Sequence, residues 1–377
     1  MRERDILFEF PPHTEAKHQI LRRYIEAWAP ILCQSPYIGR RVVYIDGFAG
    51  PGEDITKTKK GSPLIGLEAI VHHRLVSHFQ SEVVLYFIEI DVDRAEHLKS
   101  LIREKFPVLP TWISWEVEKG RDFNEVMNEV LKSLRSENTH LAPAFCFVDP
   151  FGWRDLNYDT LSSFMLEPHS ELLITFMSGF INRFLESERH HESLAHIFSG
   201  GQLDKLRDIK NTDERTECML GLFKENLKSR CMSSDGKKEL YDVAFKTKDR
   251  NDVKLYHLLY LTRSEKGMEA MKKAMYNVSK DGGYTFSDFG FNPYQKSLID
   301  YTNEKVWLAE AMAELYDRFK CTTQLQAEVQ KFVTCHTKWI FEKKILKLLE
   351  KEGKIQYNGK RTRRFTYPDQ NASIVFK

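Results

Sequence analysis

Five short apolar runs between residues 42 and 177 constrain this chain more than any other feature. They occupy 42–45 (VVYI), 82–90 (EVVLYFIEI), 112–117, 144–148 (AFCFV) and 171–177 (ELLITFM). Segments with a helical period separate them, at 93–106, 124–134 and 160–167, with another opened by Gly61-Ser62-Pro63. Ser62 is placed to cap that helix and Pro63 to take its first position. Runs this apolar suit strands buried on both faces, and parallel strands need a crossover helix between them. The alternation predicts an α/β fold, a mainly parallel Rossmann-like sheet with helices on both faces. A preceding helix, 14–32, carries Ile20, Leu21, Tyr24, Ile25 and Trp28 on one stripe.

Composition removes the alternatives. A length of 377 residues suits two domains, at about 150 residues each. With 56 basic and 54 acidic residues the net charge is only +2, so a nucleic-acid surface would need its cations concentrated locally. No apolar run approaches the ~18 residues that cross a bilayer, and the first residues hold no apolar signal core. The six cysteines form no C-x-x-C pair, and a reduced, cytoplasmic setting is expected. His72, His73 and His78, and His190, His191 and His196, lack i,i+4 pairing and a carboxylate partner, so no metal site is expected.

The chain also divides along its length. Residues 181–237 read as a polar helical insertion or lid over the sheet edge, and 240–247 with 253–262 as a hairpin closing the sheet. A helix follows at 265–279, broken by Asp281-Gly282-Gly283. Beyond about residue 300 the pattern changes to helices at 303–319, 323–333 and 337–352, with a turn at Thr334-Cys335-His336-Thr337. A hairpin of 354–357 and 365–367 across Asn358-Gly359 completes the order of a winged helix-turn-helix over 301–377. Nine Lys and Arg crowd 343–364. Lys338, Lys343, Lys344, Lys347 and Lys351 fall on the candidate recognition helix, and Lys360, Arg361, Arg363 and Arg364 on the wing. DNA or RNA is the favoured partner of that surface; docking another protein is the alternative.

Residues suited to a ligand follow four of the runs. Asp46-Gly47-Phe48-Ala49-Gly50-Pro51-Gly52 comes after the first, and glycines at 50 and 52 let backbone turn sharply and approach a bound molecule. Glu89 ends the second, where a carboxylate can accept both hydroxyls of a ribose; Asp91 and Asp93 belong to a solvated turn. Asp122 follows the third and can also cap a helix. Asp149-Pro150-Phe151-Gly152-Trp153 follows the fourth. Cys146 precedes that turn and is a core residue.

The form D-x-F-x-G-x-G resembles motif I of S-adenosylmethionine-dependent methyltransferases, particularly those acting on amino groups, and does not fit the G-x-G-x-x-G dinucleotide pattern. The resemblance implies a class I methyltransferase fold over 1–300, with Asp46, Phe48, Gly50 and Gly52 at the methionine end of the cofactor. It implies Glu89 at the ribose and Asp122 at the adenine. Asp149 and Pro150 stand where such enzymes accept hydrogen bonds from a target amine through a D/N-P-P-Y/F turn. Here Phe151 replaces the second proline and Gly152 the aromatic, which is closer to the D-P-F-G of tRNA guanine-N2 dimethyltransferases; Phe151 or Trp153 is the stacking ring. The whole set also resembles the three-Cys-motif partner proteins, through Thr14-Glu15-x-Lys17, Tyr44 to Gly52, Gly61-Ser62-Pro63-Leu64, Phe147 to Gly152, and Leu261-Thr262 with Gly267-Met268-x-x-Met271-Lys272-x-x-Met275. That resemblance implies a partner, a radical-SAM-like protein bearing three cysteines. The expectation is a methyltransferase acting on an exocyclic amine of a nucleic-acid base; the alternative is a non-catalytic nucleic-acid-binding partner.

Overall fold

The computed structural model describes residues 6–35, 40–231, 239–248, 254–279, 284–287, 298–361 and 363–377. The five apolar runs form β1 (Arg41–Asp46), β2 (Glu82–Glu89), β3 (Ile113–Lys119), β4 (Ala144–Val148) and β5 (Ser170–Phe176). Three further strands, β6 (Tyr241–Lys248), β7 (Lys254–Thr262) and β8 (Thr285–Ser287), extend them into one sheet of order β3-β2-β1-β4-β5-β7-β6-β8. β1 to β5 are parallel, whereas β7 lies antiparallel between β5 and β6. The expected hairpin is present, but its second strand enters the sheet first. Its turn, and the break at 281–283, lie outside the described residues.

Helices cover both faces. They are α1 (Pro12–Cys33), α2 (Ser62–Val71), α3 (Val92–Lys105), α4 (Phe123–Ser136), α5 (Tyr158–Leu166), α6 (Ser178–Phe184), α7 (His191–Ala195), α8 (Gly200–Asp208), α9 (Thr212–Cys231) and α10 (Glu265–Val278). Successive residues of a strand point to opposite faces. Tyr44, Phe87, Phe145 and Phe147 accordingly join one core with α1, α2, α3 and α10, while Ile45, Cys146, Val148 and Ile174 join another with α4 to α9. The segment expected to stand over the edge is instead part of this second layer. Phe223 of α9 stacks on Phe176 of β5 at 4.5 Å and lies 5.2 Å from Tyr158 of α5.

Residues beyond 298 build a second, three-stranded sheet. α11 (Leu298–Phe319), β9 (Thr323–Leu325), α12 (Gln326–His336), α13 (Lys343–Lys351), β10 (Ile355–Tyr357) and β11 (Ser373–Phe376) follow in order, with strands arranged β10-β11-β9. Two expectations need correction here. α12 runs through His336 and α13 starts only at Lys343, so 334–337 is not the turn and Lys338 lies between the two helices. β10 pairs antiparallel with 374–376 rather than 365–367: Phe376 and Ile374 lie opposite Ile355 and Tyr357, whereas Phe365 sits at φ +61°, outside the extended region of a strand. Lys272 of α10 ties this unit to the large sheet. It is 1% exposed and its ammonium donates to the carbonyls of Val333 (3.0 Å), Thr337 (2.5 Å) and Trp339 (3.0 Å). Buried ammonium needs such acceptors, and three carbonyls near the end of α12 supply them.

Candidate functional site

The strand order fixes where a site forms. From β1 the chain builds outward through β2 to β3, then returns to lay β4 against the other side of β1. Loops leaving β1 and β4 therefore diverge, and a crevice opens at the carboxyl ends of these strands. Asp46 pairs in register with Phe147, and the Gly47 amide donates to the Phe147 carbonyl at 2.9 Å. The glycine loop after β1 and the Asp149 turn after β4 are thus neighbours by backbone pairing alone.

The loop has a defined shape. Gly50 and Gly52 have φ of +64° and +86°, a region that side chains disfavour. A Cβ on Gly52 would come within 2.7 Å of the Leu98 side chain, whereas one on Gly50 would meet nothing within 4 Å. Gly50 is nevertheless buried, because it lines a cavity of about 640 Å³. Glu89 braces the loop from β2: it accepts from the Gly50 amide at 2.7 Å through one oxygen and from the Asp91 amide at 2.8 Å through the other. Burial raises the Glu89 carboxyl above its ordinary value, against those two amides. Asp91 and Asp122 each cap the following helix, Asp122 accepting from the amides of Asn124 (2.8 Å) and Glu125 (3.2 Å). Ser62 does not cap α2, where Gly61 is the capping position; its hydroxyl bonds to Asp46 instead.

The cavity brings together Phe48, Gly50, Gly52, Asp149, Pro150 and Phe151 from the expected residues. Asp46, Glu89 and Asp122 do not line it. Asp46 lies fully buried beneath the loop, Glu89 behind it, and Asp122 beyond β3. The two candidate stacking rings separate plainly. Trp153 is 2% exposed and packs on Phe180, Phe184 and His190, so it is a core residue. Phe151 is 66% exposed, 6.0 Å edge-on from Phe8, with the Arg94 guanidinium 5.8 Å from its ring.

One wall of the cavity comes from a segment outside the four loops that follow the strands. Phe8, Phe10, Lys17 and His18 line it, held in place where the Ile55 amide donates to the Phe8 carbonyl (3.0 Å) and Lys59 to that of Phe10 (2.9 Å). Lys17 forms an ion pair with Asp149 through Oδ2, and its Nζ lies 5.5 Å from the Tyr256 ring centroid. Burial, with the Lys17 charge beside it, pushes the His18 imidazole down, so that it is neutral in ordinary buffers. The signal that could have found Lys17 is its place on the buried stripe of α1, beside Ala16, Ile20 and Tyr24.

The basic residues near the chain's end are distributed unevenly. Lys343, Lys347, Lys351, Lys360, Arg363 and Arg364 are exposed. Lys344 pairs with Glu304. Arg361 is held in a fork by Glu350, at 2.9 and 2.7 Å, with the Tyr367 hydroxyl donating to the same carboxylate at 2.6 Å. That guanidinium is part of the fold of the last hairpin, which the sequence alone did not separate from its exposed neighbours.

No family model and no curated protein matches the chain. Solved structures that resemble it include Trm1 from Pyrococcus horikoshii in complex with S-adenosyl-L-methionine, at 11% identity and a TM-score of 0.40, covering 98% of this chain and 91% of that one. Another is an O-methyltransferase from Bacillus cereus in complex with SAH, at 12% identity and a TM-score of 0.32, over 67% and 82%. A third is StiE O-MT residues 942–1257, at 13% identity and a TM-score of 0.23, over 68% and 95%. Likenesses this distant carry no argument about substrate or activity.

The buried Asp46 gives the site a pH signature. Burial pushes its carboxyl from 3.8 up to about 7, the Ser62 hydroxyl opposing and the Asp149 charge adding to the shift. The folded state binds the proton more tightly, so this contribution to stability is full below the unfolded value and is lost as pH rises through about 7. Relative to Asp46→Asn, the wild type should lose on the order of 2–4 kcal/mol of unfolding free energy between about pH 5 and pH 8. Denaturant titrations of both proteins across that range measure it; parallel pH profiles would refute it.

Proposed function

We propose that the chain is an S-adenosylmethionine-dependent methyltransferase of class I architecture that modifies an exocyclic amine of a nucleic-acid base. One observation carries this reading: the left-handed glycine loop and the Asp149-Pro150-Phe151 turn face a single cavity at the point where the strand order reverses. The glycine loop lines the cavity, whereas Glu89 and Asp122 stand outside its lining. Gly50 leaves open space where any side chain would project, and Glu89, with one hydrogen bond on each oxygen, keeps acceptor capacity for ribose hydroxyls. Asp122, at the N-terminus of α4, would hold the adenine amine while capping the helix.

When bound, S-adenosylmethionine supplies an electrophilic methyl group on a sulfonium. The Asp149 carboxylate and the Pro150 carbonyl accept the N–H groups of the target amine and aim its lone pair, with Phe151 stacked on the base. As the nitrogen gains carbon, Asp149 faces the developing positive charge and takes up the proton that the nitrogen sheds. Alignment and electrostatics of this kind account for most of the catalysis. The segment 301–377 acts as a winged helix beside the 1–300 domain, with α13 and the loop after β10 offering cations to phosphate groups.

Asp149→Ala is expected to lower methyl transfer from labelled S-adenosylmethionine to RNA or DNA by at least about 100-fold while calorimetric cofactor affinity is kept; undiminished transfer would refute the role. Binding should weaken steeply with salt. Neutralising Lys343, Lys347 and Arg364 together should flatten the log–log salt slope by about 0.9 for each phosphate no longer neutralised on duplex DNA, or about 0.7 on single strands. An unchanged slope would remove nucleic acid from this surface.

A further inference from the structure

The ion pair at the cavity wall places a donor directly beside the acceptor meant for the amine. Lys17 and Asp149 both line the cavity, and the Lys17 side chain is only 8% exposed. An ammonium carries three protons, of which Asp149 Oδ2 takes one. Among the described residues no other group hydrogen-bonds either side chain, so the second Asp149 oxygen and two Lys17 protons are left for a ligand. A long, flexible lysine drawn this far out of water at a binding wall is an expensive arrangement if its only task is to hold one carboxylate oxygen.

Resting on the methyltransferase reading above, we infer that Lys17 and Asp149 together recognise an amidine-type edge, an exocyclic amine next to an unprotonated ring nitrogen. Asp149 accepts from the amine while Lys17 donates to the ring nitrogen. Adenine offers this edge at N6 and N1, cytosine at N4 and N3, and guanine at N2 and N3. Uracil and thymine have no exocyclic amine, and an alkyl amine such as a lysine side chain has no ring acceptor. The pair therefore selects the substrate by the atom beside the one that is methylated. The family-type turn at 149–152 supplies only half of this recognition; the other half comes from α1. Leaving a buried donor without its acceptor is what makes such discrimination strong.

Atomic substitution in the substrate tests it. Short single-stranded RNA and DNA oligomers containing one adenine, cytosine or guanine in a uracil or thymine background identify the accepted base. That base is then replaced by 1-deazaadenine, 3-deazacytosine or 3-deazaguanine, in which C–H stands in place of the ring nitrogen beside the amine. The wild type should methylate the deaza oligomer about 10- to 100-fold less efficiently than its parent. Lys17→Met should be slow on both and discriminate by less than about twofold, and Lys17→Arg, which keeps a donor, should discriminate. Equal rates on parent and deaza oligomers by the wild type overturn the inference, and this arm needs no variant to fold. So does a Lys17→Met protein that slows both yet still discriminates, since Lys17 would then only hold Asp149. A wild type that binds S-adenosylmethionine but methylates none of the oligomers overturns the base-methylation reading itself, and this inference with it.

Discussion

The crevice on which the site depends follows from the reversal in strand order between β1 and β4. Because the chain returns across the sheet at that point, the loop after β1 and the turn after β4 are adjacent in space, although about a hundred residues separate them in sequence. The Gly47–Phe147 backbone bond then sets the distance between them, and Glu89 reaches across from β2 to fix the loop's shape. No side-chain chemistry at 149–151 would matter without that backbone arrangement.

The second principle is that charge inside this molecule is answered locally. Lys17 is met by Asp149, and Lys272 by three carbonyls. Glu171, buried where α1 meets β5 and β7, accepts from Tyr24 and from Thr262 (3.0 Å), with burial pushing its carboxyl up to about 7. Asp46 has Ser62 and the Phe48 amide at 3.4 Å. The Lys17, Lys272 and Glu171 arrangements join elements remote in sequence, so these polar contacts specify which helix docks where while the apolar faces supply the bulk of the driving force. The Lys272 contact joins a shared apolar core in coupling the small second sheet to the large one.

Much of this was legible in the sequence, and the divisions between success and failure are physical. β1, β2, β4 and β5 announced themselves because burial leaves a nearly continuous apolar run, and the glycine loop because the positive φ at positions 50 and 52 favours glycine. Pairing partners were less visible. Residues 365–367 have strand-like composition, but Phe365 turns to φ +61° and the buried Tyr367 bonds to Glu350, so Ile374 and Phe376 take the pairing. The role of Lys17 stayed hidden because a lysine on a helix reads as solvent-facing unless its neighbours on the stripe are weighed. Arg361 looked like its exposed neighbours for the same reason: only the fold brings Glu350 and Tyr367 to it.

The crevice at β1 and β4 is proposed as a cofactor site. Amide hydrogen exchange, with and without saturating S-adenosylmethionine, tests it without knowledge of the methyl acceptor. A cofactor bound there should slow exchange in peptides spanning 46–53, 89–94 and 147–152, with no change across 323–376. Absence of protection at the glycine loop, or protection confined to the small sheet, would contradict it.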